Sequence, residues 1–276
     1  MTYPALGFWL IFETPLLKSD RVTNVAELLT DPRWPWQPSL VRPMPSPGEG
    51  LYPWPGGKIA AKALRGAVED VIRSDSATGI YLSTSRQDAG NHVFLIVDNG
   101  TPRTHKEGRI PYTALGLCRY PVPPGKSIDA WLALVRELAT VLEAKHGVIW
   151  VDADERYIIA RQFVSGSPRP REAPDHPGNE SYRIIHARRD LGERYVRFPG
   201  WATFLRSAHV DAIGGREKLL ATVNPPVVHD VGDLLYLQLS ASVDDALSDE
   251  TQARRRALIE LLTPIIVPLA PARPAA

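Results

Sequence analysis

With a single cysteine, Cys118, the chain has no means of forming an intramolecular disulfide. A secreted protein of this size more often holds several, so a reducing compartment is expected. Charge of either sign is also missing in excess. Against 32 basic residues stand 31 acidic ones, a formal net charge of +1. No global field draws in nucleic acid or anionic membrane, and any charged partner must meet a local patch. Long apolar runs are absent as well, since nothing approaches the roughly 18 residues that a bilayer requires. The run from Leu6 to Phe12 follows no Lys or Arg and is broken by Glu13 and Pro15, so it does not resemble a signal peptide. The expectation is a cytoplasmic protein whose mature form is the whole chain.

Catalytic signatures are equally scarce. A phosphate-binding loop would need a glycine where Tyr52 stands and a hydroxyl where Ile59 stands, on either side of Gly57-Lys58. No Gly-x-Ser-x-Gly elbow exposes a serine. Cys118, between Leu117 and Arg119 in an apolar segment, fits an inert buried thiol. The seven histidines, at 92, 105, 146, 176, 186, 209 and 229, include no pair spaced to share one helical face. No catalytic residue, cofactor site or metal site is therefore expected.

What is present is an average globular composition, with 44% apolar and 23% charged residues. The apolar run Gly7 to Phe12 fits a buried strand, and a short helix is expected over Asp20 to Leu29. From residue 31 to 55 prolines recur every few positions, interleaved with Trp34, Trp36 and Trp54. Prolines disfavour helix in the residue before them, so the stretch is expected as an ordered, irregular surface loop. Its indoles have two readings: packed on the body, which leads, or exposed for recognition.

A helix follows over Lys58 to Ile72, then two antiparallel strands, Gly79 to Ser83 and His92 to Val97, the second closing in the turn Asp98-Asn99-Gly100. Thr113 to Cys118 is a third apolar segment. Ser127 suits an N-cap for a helix over Ile128 to Lys145, with Gly147 past its end. Val148 to Val151 reads as a strand, Tyr157 to Ile159 as strand or helix, and Ser165 to Gly178 as a second Pro/Gly loop. Tyr182 to His186 and Tyr195 to Phe198 are weak strands. Helices are expected over Trp201 to Ile213 and Arg216 to Thr222, separated by Gly214-Gly215. A hairpin is expected across Asp230-Val231-Gly232-Asp233, and a last helix over Asp249 to Leu262, capped by Ser248 and stopped by Pro264. Residues 265–276 form a frayed tail. Strand runs broken by unequal helices point to one α+β domain over residues 1–276, with a mostly antiparallel sheet, packed helices and long Pro-rich surface loops.

Asp152-Ala153-Asp154-Glu155, at the end of a strand, is the most chemical-looking cluster. A solvated acidic turn, a protein-binding acidic patch and a metal site are its three readings, in that order. The third would make a metal-dependent enzyme with a dispersed carboxylate site the alternative function. Glu143-Ala144-Lys145 has the composition that a metal-dependent nuclease needs, but it falls at a helix end before the acidic group. Arg169-Pro170-Arg171 and Arg188-Arg189 lack the aromatic interleaving of a nucleic-acid platform. Asp244, Asp245, Asp249 and Glu250 complement the dipole of the last helix.

The pieces Phe198-Pro199-Gly200-Trp201-Ala202-Thr203-Phe204-Leu205, then His209-Val210 and Gly214-Gly215, resemble the Trp-x-Thr-Phe-Leu segment of immunity proteins encoded beside type VI secretion and other polymorphic toxins. Leu115 to Pro121, the His146-Gly147 step and the block from Gly232 to Gln238 with the final helix resemble the same family in the same order. The family's Gly- and Pro-containing stretch after the last hairpin is replaced by Ser240 to Ser248. The resemblance implies a protein that binds and neutralises a cognate antibacterial toxin, often a nuclease, with no enzymatic activity, no direct nucleic acid and no membrane. On that view Trp201, Phe204, Leu205, Gly214 and Gly215 are scaffold. Partner contacts fall on loops, with Asp152, Asp154, Glu155, Trp34, Trp36 and Trp54 as candidates.

Overall fold

The structure, a computed structural model, describes residues 5–16, 19–35, 38, 40–44, 61–73, 79–83, 94–98, 104–105, 108–109, 112–119, 125, 127–152, 193–196 and 199–266. The elements within them are β1 (Ala5–Phe12), α1 (Arg21–Leu29), β2 (Leu40–Met44), α2 (Ala61–Arg73), β3 (Gly79–Ser83), β4 (Phe94–Asp98), β5 (Thr104–His105), β6 (Gly108–Arg109), β7 (Tyr112–Arg119) and α3 (Ile128–Val141). They continue with β8 (His146–Asp152), β9 (Ala202–Arg206), α4 (Ser207–Ala212), α5 (Arg216–Val223), β10 (Val227–Val231), β11 (Leu234–Gln238) and α6 (Asp249–Leu262).

The class is α+β, as expected. Nine strands form one sheet in the order β10-β11-β9-β8-β1-β7-β4-β3-β2, and every pairing is antiparallel. The first strand in sequence is the middle strand in space. That position follows from its composition, because a strand with neighbours on both edges and layers on both faces must be apolar at every residue. Leu6, Phe8, Trp9, Leu10, Ile11 and Phe12 are all buried. β5 and β6 make a separate two-residue ribbon that the sequence pattern does not announce.

Helices α1, α2 and α3 pack together and against the sheet. Phe8 of β1 meets Trp131 of α3 edge-on with centroids 5.8 Å apart, and stacks with Trp34 at 6.4 Å. Trp34 is thus a core residue, and its indole N–H donates to the Leu28 carbonyl at 2.6 Å. Beside it Arg33 forks onto Glu137 of α3 at 2.8 and 2.9 Å and onto Asp31 at 2.8 Å. The Arg33 hydrogen bond holds the Asp31 carboxyl below its usual range.

Several expectations are corrected. The Pro-rich stretch contains a strand, β2, with Pro43 in it. β2 is an edge strand paired only with β3, which is where proline's missing donor is tolerated. The helix expected through Lys145 stops at Val141. The Glu143 N–H bonds the Thr140 carbonyl and the Ala144 N–H bonds the Ala139 carbonyl, the double closure of a Schellman end. The left-handed residue there is Glu143, φ 51°, and Gly147 lies in β8. His146 therefore begins a strand, and Glu143-Ala144-Lys145 is a turn. The largest correction is at Trp201 to Ile213, expected as one helix. Ala202–Arg206 is instead β9, held between β8 and β11, and only Ser207–Ala212 is helical.

From Gly214 to Pro264 the chain follows the sequence signals, but the tail expected to fray from residue 265 is held at its start, where Ile265 is buried and takes a hydrogen bond from the Val196 N–H at 2.8 Å. Gly214 and Gly215 take φ 102° and 94° and end α4 as expected, with the Gly215 N–H on the Val210 carbonyl at 2.9 Å. The β10–β11 hairpin turns at Gly232, φ 57°. Ser248 caps α6 through the Thr251 N–H at 3.3 Å, and Pro264 sits in the 3-10 turn that follows. Lys58 to Ala60, Asn99-Gly100, Tyr157 to Ile159, Ser165 to Gly178, Tyr182 to His186, Arg188-Arg189 and residues 267–276 lie outside the described residues.

Candidate functional site

Of the residues singled out for partner binding, Trp34 is 6% accessible and offers no surface. Asp152 ends β8, where its backbone pairs with Ala5. Trp36, Trp54, Asp154 and Glu155 lie outside the described residues. Among the described residues no three His, Cys, Asp or Glu side chains group so as to hold a metal.

The motif residues are brought together, in a strand rather than a helix. Phe204 and Leu205 are fully buried on β9, and Phe204 packs on Tyr236 of β11 with centroids 4.9 Å apart. Trp201, just before the strand, is 4% accessible, and its indole N–H donates to Ser240 Oγ at 2.6 Å. That hydroxyl donates in turn to the Ser242 carbonyl at 2.7 Å. Gln238 extends the network, accepting from Tyr236 OH at 2.7 Å and donating to the carbonyls of Ser240 and Ala241 at 2.7 and 3.2 Å. Burial raises the Tyr236 phenol well above its ordinary value, which keeps it a neutral donor. The consequence is mechanical. Four side chains satisfied against one another clamp the Ser240–Ser248 connection onto the sheet.

That clamp forms one wall of a notch of about 60 Å³, lined by Trp150, Val151, Gly200, Trp201, Leu239, Ala246, Leu247, Thr251, Gln252 and Arg255. Arg255 donates from Nε to the Pro199 carbonyl at 3.2 Å. Its polar lining is Thr251, Gln252 and Arg255, and the rest is indole, aliphatic side chain and glycine.

A second grouping escaped sequence reasoning. At the opposite end of β8, His146 and His209 meet edge to face with ring centroids 6.0 Å apart, and both are buried. His146 Nδ1 hydrogen-bonds the Phe204 carbonyl at 2.8 Å, so that nitrogen carries the proton. His209 Nδ1 accepts from the Arg206 main-chain N–H at 3.3 Å, which places its proton on Nε2, a buried atom that meets no acceptor at good hydrogen-bonding geometry among the described residues. Burial, with the Arg206 charge nearby, lowers the His209 pKa to about 4. Arg206 pairs with Glu193 at 2.7 Å, and Lys145 lies 3.9 Å from the same carboxylate. Burial and the adjacent Glu193 raise the Glu13 carboxyl. The two histidines are far apart in sequence and on different elements, so no spacing rule could pair them.

The whole fold has a solved counterpart. The Pseudomonas aeruginosa T6SS protein PA0821 matches over 95% of this chain and 76% of its own, with a TM-score of 0.57 and 13% identity. At that identity the likeness shows a shared fold. No family model and no curated protein matches the sequence. No helix among the described residues is long and apolar enough to cross a membrane.

Proposed function

We propose that this chain is an immunity protein of a type VI secretion system, which binds a cognate antibacterial toxin in the cytoplasm of the producing cell. It neutralises the toxin stoichiometrically, by occluding its active site or its substrate's access, and performs no chemistry itself. The toxin's target in this proposal is nucleic acid, and no cofactor takes part. The observation that carries the reading is the coincidence of two independent likenesses. The ordered motif around Trp201 resembles toxin immunity proteins, and the fold is that of a protein named for the same secretion system.

The geometry around the motif is consistent with that role. Trp201, Phe204 and Leu205 are consumed by the core, while the surfaces they support are shallow and mixed in character. An interface of standard size, roughly 800 Å² per partner, needs a rigid platform of this kind more than it needs a deep cavity. The test is co-expression with the product of the neighbouring gene. The expected outcome is rescue of a poisoned cell and a stoichiometric complex on size-exclusion chromatography. The absence of both rescue and complex would overturn the proposal.

A further inference from the structure

The Ser240–Ser248 connection, where this chain departs from the pattern it otherwise resembles, places an apolar side chain in water on a fixed backbone. Leu247 is 52% accessible. An exposed leucine is by itself ordinary. Three features set this one apart. It forms the lip of the notch lined by Trp150 and Trp201, so an apolar group seated there would contact indole as well as leucine. Its backbone is already ordered, because Ser240 and Gln238 clamp the start of the connection, Ser242 caps a 3-10 turn at Val243–Asp245, and Val243 and Ala246 are buried plugs. Little ordering entropy then opposes binding. Finally, Asp244, Asp245, Asp249 and Glu250, all within three residues of it in sequence, are exposed, and Arg255, the one charged side chain lining the notch among the described residues, turns its Nε to the Pro199 carbonyl. Glu250 is paired with Arg254 at 2.6 Å, whereas Asp245 and Asp249 form no ion pair among the described residues.

We propose that Leu247, the Trp150–Trp201 notch and the carboxylates of Asp245 and Asp249 form a docking surface for a basic segment of a partner protein. An apolar side chain of that segment enters the notch and its Lys or Arg side chains meet the acidic rim. The occupant is argued from charge complementarity, which sets partner choice and encounter rate more than raw affinity. The proposal rests on the reading of this chain as a toxin inhibitor and locates the inhibitory contact.

The probe is the protein encoded beside this chain's own gene, titrated calorimetrically into the full chain at about 50 and 300 mM salt. Leu247→Arg is expected to weaken binding by about 30-fold or more, the scale of a lost hot spot. Asp245→Lys with Asp249→Lys is expected to weaken it about tenfold at low salt and to flatten the salt dependence. Leu247 is exposed, so Leu247→Arg should melt with the parent, whereas the Asp→Lys pair gives up carboxylates at the start of α6 and should melt a few degrees lower while remaining folded at the titration temperature. If the parent binds and both variants bind equally well, the surface is wrong while the inhibitor reading stands. If the parent neither binds nor protects, that reading fails and takes this proposal with it. If Leu247→Arg only dissolves a dimer seen by ultracentrifugation, the occupant is a second copy, and the proposal is overturned.

Discussion

Acid should unfold this protein partly through one imidazole. His209 is held neutral, with a pKa of about 4, by burial and the neighbouring Arg206, whereas an unfolded histidine titrates near 6.5. Between those values the unfolded chain binds a proton that the folded chain refuses, so stability rises with pH across the window and falls as pH drops through it. The loss begins near pH 6.5, and by pH 5 the linkage amounts to about 2 kcal/mol, rising towards about 3 below pH 4. Glu13 works in the other sense. Its raised carboxyl favours the protonated folded state, so its contribution is present at low pH and is lost as pH rises above its unfolded value. The two must be separated by difference. Urea unfolding of the parent and of His209→Gln, at pH 7.5, 6 and 5, isolates the imidazole. The variant is expected to be less stable at pH 7.5, from lost packing, but to lose about 2 kcal/mol less between pH 7.5 and 5. Parallel pH profiles for the two proteins would refute the reasoning, as would a His209 resonance titrating near pH 6.5.

Other positions give sharper yes-or-no outcomes. Trp201→Phe keeps most of the buried ring but deletes the donor to Ser240, and should cost about 1–2 kcal/mol in urea unfolding. Gly200→Ala forces a methyl onto the Ile149 carbonyl, main chain that cannot swing aside, and should cost about 3 kcal/mol. Gly66→Ala, on an exposed turn of α2 with nothing near the new methyl, should stabilise by about 0.5–1 kcal/mol. Glu143→Gly relieves a left-handed glutamate. It forfeits an ion pair to Arg21 whose carboxylate is 60% accessible and worth a few tenths, so a net gain of about 0.5 kcal/mol is expected in thermal melts.

The sequence carried local structure wherever one signal dominated. Ser127 and Ser248 predicted helix starts, and Gly214-Gly215 a helix stop, because caps and left-handed turns are chosen by side-chain chemistry acting within a few residues. It failed where neighbours in space decide. Trp201 to Leu205 has no clear alternation because β9 is buried on both faces, and a short, mostly apolar run with Thr203 in its middle fits a helix equally well until the strands beside it are known. Gly147 looked like a helix terminus, yet glycine at that point serves a strand and the left-handed turn was taken by a glutamate. The pairing of His146 with His209 and the clamp from Trp201 to Ser240 depend on sheet order, which no local pattern encodes.

The burial of the motif bears on how such a protein could keep one fold and change partners. Trp201, Phe204 and Leu205 are 4% accessible or less, so substitutions there would be felt as instability before they were felt as altered recognition. The Ser240–Ser248 connection is built the other way. Its side chains at 240, 243 and 246 are buried and fix the backbone, while those at 245 and 247 are exposed. Shape at position 247 can therefore vary at a stability cost within about 0.5 kcal/mol, as for surface sites generally, and reversing the charge at 245 costs no more than about 1 kcal/mol through the dipole of α6. A scaffold held by a few buried residues and a surface set by exposed ones are separable in this fold, and the separation runs between adjacent residues of one loop.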